Sequence, residues 1–436
     1  MMQASRLKNY LKFLVKWRLL GVARAFLFSL CKHRPHTAGW EERVLVVNLH
    51  ALGDVVAMTS VLRRYKMDLP HKKIFCLFSK DIGVTEKLFG EFADHLVLVD
   101  LKKFGLNPFY ELGFVNKLRD IGFQTVVNQG YGLFELPGKI ISVNIGAQNV
   151  IGYEGLIIEH VTADWVMRRR ISFIKNSLFP RYTKLVPIVD RDFKARGRVT
   201  SFPLVYAAIY EAFLEHAPKI MPTKIGIDED AERSVRERLN RAGVAVGTYG
   251  VFVIGGRTPA RWWPVAKFSA VAKEVNRLGV PVVLVGTRSE KEAIARLKEL
   301  ANVPVVDLVG ELSVAELISV IDHCLFVLTN DTAPVHLAIA LKKPSVCIMG
   351  LGIFGVSDHY GYPRVNRWVW EKADCFFDYW QCMGTAKPGE PAPCIAAVTA
   401  EKVISEVREL IALTRRNSVT ALTKDDDFEP EFESSS

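Results

Sequence analysis

This sequence predicts an α/β fold made of two units in tandem, and three observations carry that reading. Two separate stretches alternate β-branched apolar runs of strand length with helical patterns, and such alternation makes a parallel sheet covered by helices. The chain has 436 residues, enough for two or three domains. Hydrophobic residues make up 49% of it, enough for sizeable cores, and the 24% that is charged is ordinary for a folded protein.

Residues 6–30 read as one helix. Lys8, Lys12 and Lys16 form a ridge, with Leu7, Leu11, Phe13, Leu14 and Trp17 broadly opposite. This is the pattern of a helix lying on a membrane surface, although Arg18 and Arg24 intrude on its apolar side. The plainer alternative is a helix packed on the protein with a solvated basic edge. Residues 1–34 hold eight Lys or Arg and no Asp or Glu, so much of the net charge of +10 sits here and favours an anionic surface. Arg24 interrupts the longest apolar run, Leu19 to Leu30, so no stretch reaches the length of a membrane span. No small-residue cleavage site follows it in a fitting place, and the expectation is a soluble or peripheral cytosolic protein.

The first unit is expected over residues 42–225, after a helix and polar linker over 1–41. Its strands are VLVVNLH from Val44, KIFCLFS near Ile74, HLVLVD near Leu96 and QTVVNQ near Val126. Residues from about 155 to 220 are less regular and include a basic run, Arg168 to Arg170. A polar helix that stops at Gly243 opens the second unit, expected over 226–400. Its strands are YGVFVIG, VPVVLVG, VPVVDLVG, CLFVLTN and PSVCIMG. A last helix, set at 401–416, precedes an acidic tail over 417–436 that reads as disordered.

Cys76, Cys324 and Cys347 sit in apolar context and read as small core residues. Seven cysteines in a long chain argue against a disulfide framework. Cys375, Cys382 and Cys394 are too widely spaced for a zinc site even with His359 as a fourth ligand, so local packing is the expectation. Neither GxGxxG after the first strand nor GxxxxGK[ST] nor HExxH occurs. The basic residues lack the interleaved aromatics of single-strand binders, which places nucleic acid last among partners.

Three turns remain as candidate sites. In LTNDTAPVHLAIAL a strand ends at Asn330 and a helix begins, so Asp331, Thr332, Ala333 and His336 surround a helix N-terminus suited to a diphosphate. Taken alone, Asp331 or Thr332 as a simple cap is the better account. In IGGRTPARWWP, Arg257, Thr258 and Arg261 again lie between a strand and a helix, and arginine suits bidentate contact with phosphate. In HALGDVV, Asp54 stands at the corresponding turn of the first unit. Its carboxylate could take a proton from a hydroxyl or simply favour the positive helix end.

These three turns, in their order along the chain, resemble the heptosyltransferase family, glycosyltransferase family nine. The likeness covers roughly residues 43–410. It is carried by LGD within VLVVNLHALGDVVAMTSVLRRY, by TVVNQGYGLFELPGKIISVNIGAQNVIGYEG, by VFVIGGRTPARWWPVAKFSAVA, by VVLVGTRSEKEA and by the ND[ST]xPxH-type segment of DLVGELSVAELISVIDHCLFVLTNDTAPVHLAIAL. The resemblance implies a GT-B fold of two facing Rossmann-like domains, acceptor on the first and nucleotide-sugar on the second. It implies inverting transfer without metal or cofactor, with heptose from ADP-heptose as the commonest donor and a lipid-linked or lipopolysaccharide-core saccharide as acceptor at the inner face of the cytoplasmic membrane. Asp54 matches the family's base and Arg261 the residue that steadies charge on the leaving diphosphate. Asp331, Thr332 and His336 match the donor motif, and Glu290 or Glu292 an acidic donor contact, with the register left open. Asn128 and Gln129 are carried over as acceptor contacts. Ala333 stands where the family usually has Gly. Two other classes stay open on the same architecture: a nucleotide-sugar hydrolase or epimerase, and a non-catalytic polysaccharide assembly protein.

Overall fold

The computed structural model describes residues 38–130, 136–154, 179–187, 201–256, 258–350, 360–373, 389–416 and 419–430. The helix read over 6–30 and the run Arg168 to Arg170 lie outside them.

The first sheet is parallel throughout, in the order β3-β2-β1-β4-β5-β6. Its strands are β1 (Arg43–Val47), β2 (Lys73–Ser79), β3 (His95–Val99), β4 (Thr125–Asn128), β5 (Asn149–Glu154) and β6 (Lys184–Pro187). The second sheet, also parallel, runs β12-β11-β10-β7-β8-β9. It is built from β7 (Gly250–Val253), β8 (Val282–Leu284), β9 (Val305–Asp307), β10 (Phe326–Asn330), β11 (Ser345–Ile348) and β12 (Asn366–Val369). Each half thus has the strand order 3-2-1-4-5-6 of a doubly wound unit. The central strands are buried on both faces, as β7 and β10 show along their whole length, which explains their unbroken apolar runs.

The helices that matter below are α1 (Leu52–Asp68), α2 (Leu101–Leu106), α3 (Pro108–Ile121), α4 (Leu136–Asn144), α5 (Phe202–Leu214), α6 (Glu229–Arg241), α7 (Val265–Arg277), α8 (Lys291–Ala301), α9 (Val314–Asp322), α10 (Ala333–Ala340) and α11 (Ala400–Arg415). The periodic ones have clear start signals. Asp228 caps α6 and Ser313 caps α9, the latter in a capping box with Glu316. Helix α1 is buried on nearly every side because it lies between the first sheet and α10 of the second half. One apolar cluster accordingly runs from Val55, Met58 and Tyr65 of α1 to Val335 and Ala338 of α10. Close approach fixes two glycines at this junction. A Cβ at Gly53 would sit 2.4 Å from the His336 ring, and one at Gly83 would sit 2.7 Å from Val314. The connection between halves is tied down as well: Met221 N–H donates to Ser60 O at 2.9 Å and Lys224 N–H to Thr59 Oγ1 at 2.9 Å.

Two expectations need correction. Most of the tail read as disordered is packed. Phe428 is buried against Tyr360 and Tyr362, Gly361 and Glu429 pair their backbones at 2.9 and 2.8 Å, and Lys342 bonds Asp425 at 2.7 Å. Ser201, just before α5 of the first half, donates to the Pro430 carbonyl. A single aromatic anchor outweighs the acidic composition. The less regular stretch also contains α5, which covers α1 and β5, and the edge strand β6.

Replacing Phe428 by Ala tests this docking. Removing a buried Phe side chain costs about 3 kcal/mol at the lower end of its usual range. The thermal midpoint should therefore drop by several degrees, and amide exchange around 360–362 should accelerate. Unchanged values would show that the tail does not dock.

Candidate active site

Strands β7 and β10 are neighbours, and the chain leaves them toward opposite edges of the sheet. A crevice forms at such a point, beyond the carboxyl ends of the strands. Asn330 closes β10 and is fully buried. Its amide donates to Ile254 O at 2.9 Å and Gly255 O at 3.1 Å, and its carbonyl accepts Trp263 N–H at 3.0 Å. The two loops of the crevice are thereby joined. Trp263 is itself buried and donates its indole N–H to Val398 O at 2.9 Å, while Trp262 donates to Gly256 O at 3.0 Å.

Arg261 ends the short helical turn Pro259–Arg261 and bonds the Asp331 carboxylate. Asp331 is therefore not a helix cap. Thr332 occupies the cap position of α10, but its hydroxyl turns back to Asn330 O at 3.3 Å and no side chain caps the helix. The positive end of α10 stays available beside a guanidinium, a good seat for an anion. Ala333, the first residue of α10, is half-buried there, as is Thr258 in the opposite loop. Arg257 lies outside the described residues.

Glu290, in the turn after β8, is buried against the loop that follows β7, whereas Glu292 is exposed. The carboxylate accepts Thr287 N–H at 2.6 Å. It is wedged between two glycines: a Cβ on Gly255 or on Gly286 would lie 2.1 Å from it. Burial pushes the Glu290 carboxyl above the usual range, opposed by hydrogen bonds from Thr287 and the Gly256 N–H.

Asp54 enters from the first half in the first turn of α1, just beyond β1. The His50 Nδ1 lies 3.9 Å from its carboxylate, and 16% of the Asp54 side chain is exposed. His336 connects the halves. Its ring packs on Gly53, stacks on Tyr360 at 5.7 Å and meets Phe202 edge-on at 5.7 Å, and Nδ1 is 2.7 Å from the Tyr360 hydroxyl. Burial lowers its proton affinity; Asp331 and Asp54 act against this, and Arg261 adds to it. Asp54, Arg261, Asp331 and His336 therefore converge, with His336 as buried packing between the other groups.

Asn128 and Gln129 do not reach the surface. Asn128 donates to the Tyr182 hydroxyl at 3.1 Å and Gln129 to the Tyr65 hydroxyl at 3.1 Å, and both are buried. Asn330, Gly255, Gly286 and Tyr360 also belong to the site, although nothing in their local sequence marks them. Among the described residues no group of three or more His, Cys, Asp or Glu is placed to hold a metal ion. Cys394 is buried, while Cys375, Cys382 and His359 lie outside the described residues. No helix of the described residues is long and apolar enough to cross a membrane.

The family model for glycosyltransferase family 9 (heptosyltransferase) matches residues 206–373. Two Escherichia coli relatives are both named lipopolysaccharide heptosyltransferase 3. One is 33% identical over 29% of this chain and 36% of its own length. The other, from strain K12, is 24% identical over 70% of this chain and 80% of its own. The first match thus spans about a third of that relative. Among solved structures, a glycosyltransferase of family 9 from Veillonella parvula DSM 2008 superposes with a TM-score of 0.68 at 18% identity, over 87% of this chain and 99% of that one. The E. coli heptosyltransferase WaaC with ADP-2-deoxy-2-fluoro heptose gives 0.55 at 16% identity, over 84% and 99%. These two likenesses establish the fold, the two-domain GT-B arrangement.

The lowered proton affinity of His336 gives a pH test. An unfolded imidazole titrates near 6.5. As pH falls from 7 toward 5, the unfolded chain takes up a proton that the folded one resists, so stability is lost. His336→Asn should flatten this part of a plot of thermal midpoint against pH. A slope equal to that of the parent chain would mean that His336 titrates freely.

Proposed function

We propose that this chain, a member of glycosyltransferase family 9 and a glycosyltransferase, moves heptose from ADP-heptose to a lipid-linked or lipopolysaccharide-core saccharide. The observation that carries the reading is the meeting of Arg261 and the N-terminus of α10 with Asp54 of the other half, around His336. The similar WaaC structure holds an ADP-heptose analogue, which supports the donor class.

In this reading the donor diphosphate lies against Arg261 and the start of α10, and Glu290 serves its nucleoside or sugar. Asp54 takes the proton of an acceptor hydroxyl. The freed oxygen attacks the anomeric carbon from the face opposite the diphosphate, the bond to the diphosphate oxygen breaks, and the configuration inverts. Charge that develops on the leaving group meets a positive guanidinium and helix end already in place, an electrostatic contribution that needs no metal. Asp331 holds the guanidinium in position.

Calorimetric titration in EDTA with ADP-heptose, ADP, UDP and GDP tests the donor. Selective binding of the ADP species, weakened in Arg261→Ala, is the expected result. A preference for UDP or GDP would move the protein to another donor, and no binding at all would favour a non-catalytic role. Asp54→Asn should retain donor binding while transfer falls about 10²–10⁴-fold, the usual size of a general-base contribution. Transfer at the parental rate would remove Asp54 from the mechanism.

The basic segment 6–30 fits a location on the cytoplasmic side of the membrane, against anionic headgroups. Deleting residues 1–34 should weaken binding to anionic liposomes and leave donor binding intact. Unchanged liposome binding would sink that role for the segment.

A further inference from the structure

The loops after the strands of the first sheet gather at the edge that carries Asp54. Strand β3 is outermost on one side, two strands from β1 and so about 10 Å away. Around it stand three of the four large hydrophobic side chains that are exposed among the described residues: Leu98 at 42%, Leu106 at 63% and Phe109 at 74%. The fourth, Met67, lies at the far end of α1. One such side chain is ordinary on a protein surface, but a run of them within twelve residues of sequence is not.

Local packing holds them outward. In α2, Phe104 turns into the core, which leaves Lys102, Lys103 and Leu106 on the exposed face. Asn107 caps α3 by accepting the N–H groups of Phe109 at 3.0 Å and Tyr110 at 3.2 Å. Tyr110 faces the other way: its hydroxyl accepts the Asp100 N–H at 3.1 Å and its ring stacks on Phe114. Phe109 is left standing at the start of the helix. Between Leu101 and Tyr110 there are two lysines and no acid. The preceding carboxylate, Asp100, is already paired with Lys80 at 2.5 Å. Lys102, Lys103 and Lys117 are exposed and make no ion pair among the described residues.

We propose that Leu106 and Phe109, with Lys102 and Lys103, form a docking surface for an anionic lipid bilayer. The apolar pair enters the boundary between headgroups and acyl chains while the lysines meet lipid phosphates. Paired basic patches of two copies would repel, so charge favours the bilayer over a second copy of the chain. This surface is distinct from the segment 6–30, and two weak anchors together hold a protein where one does not. Docked here, the first half turns the edge bearing Asp54 toward acceptors held in the same bilayer. That last consequence rests on the proposed transfer; the docking does not.

Hydrogen–deuterium exchange of the full chain tests it, with vesicles of phosphatidylethanolamine and phosphatidylglycerol set against vesicles of phosphatidylcholine alone. Amides of residues 101–113 should slow with the anionic vesicles only. Leu106→Asp with Phe109→Asp should abolish that protection and weaken vesicle binding about tenfold or more, as loss of two inserted side chains implies. Lys102→Gln with Lys103→Gln should reduce the salt sensitivity of binding. Vesicles that bind without protecting 101–113 would overturn the proposal. So would protection that grows with protein concentration in the absence of lipid, which would mark a contact between copies. No turnover is measured, so a failed transfer assay leaves this result standing.

Discussion

The side-chain amide of Asn330 donates both its hydrogens to the carbonyls of Ile254 and Gly255 and accepts the N–H of Trp263. These three bonds join the end of β10 to the loop after β7, and the rest of the crevice is hung on them. In a fully buried setting the amide cannot fall back on water, so any change of partner leaves unpaired groups at a cost of about 1–3 kcal/mol each. Trp263 carries the constraint outward to Val398, at the foot of α11. Arg261 lies two residues before Trp263 and Asp331 one residue after Asn330, so the ion pair between them inherits its geometry from this junction.

The two halves meet through helices whose first turns approach the same point. Gly53 lets α1 come against His336 of α10 without a side chain between them. The imidazole resists a proton there, so it adds no cation to a region whose positive charge is concentrated on Arg261 and the helix end. Tyr360 completes the packing behind His336, and the docked tail covers Tyr360 through Phe428. A segment of unpromising composition therefore supports the junction from outside.

Much of this was legible in the sequence, and the failures have physical causes. The central strands announced themselves because double burial demands apolar runs. The tandem order of the three turns was readable because each lies between a strand and a helix start. Strand β5 escaped notice in part because Gly152 interrupts it, a residue required where Tyr182 occupies the space of a Cβ. Helix α5 is apolar on most faces, so no period stands out. Asn128 ends a strand, as Asn330 does, and Gln129 follows it, but their partners Tyr182 and Tyr65 come from distant parts of the chain and draw them inward. The role of Asn330 was hidden for the same reason: hydrogen bonds across 75 residues of sequence leave no local signature.

With Glu290 in its present place, a Cβ on Gly255 or Gly286 would lie 2.1 Å from its carboxyl group, so a side chain at either glycine displaces it. The three positions therefore form one unit of inheritance. A larger residue at 255 or 286 requires the Glu290 carboxyl group to move out of its present place or to be shortened away. Side chains at the glycine positions should therefore be commoner in lineages that have abandoned the carboxylate than in those that keep it in this place. Reading those three columns together would separate drift from a change of ligand in a way that no single column can.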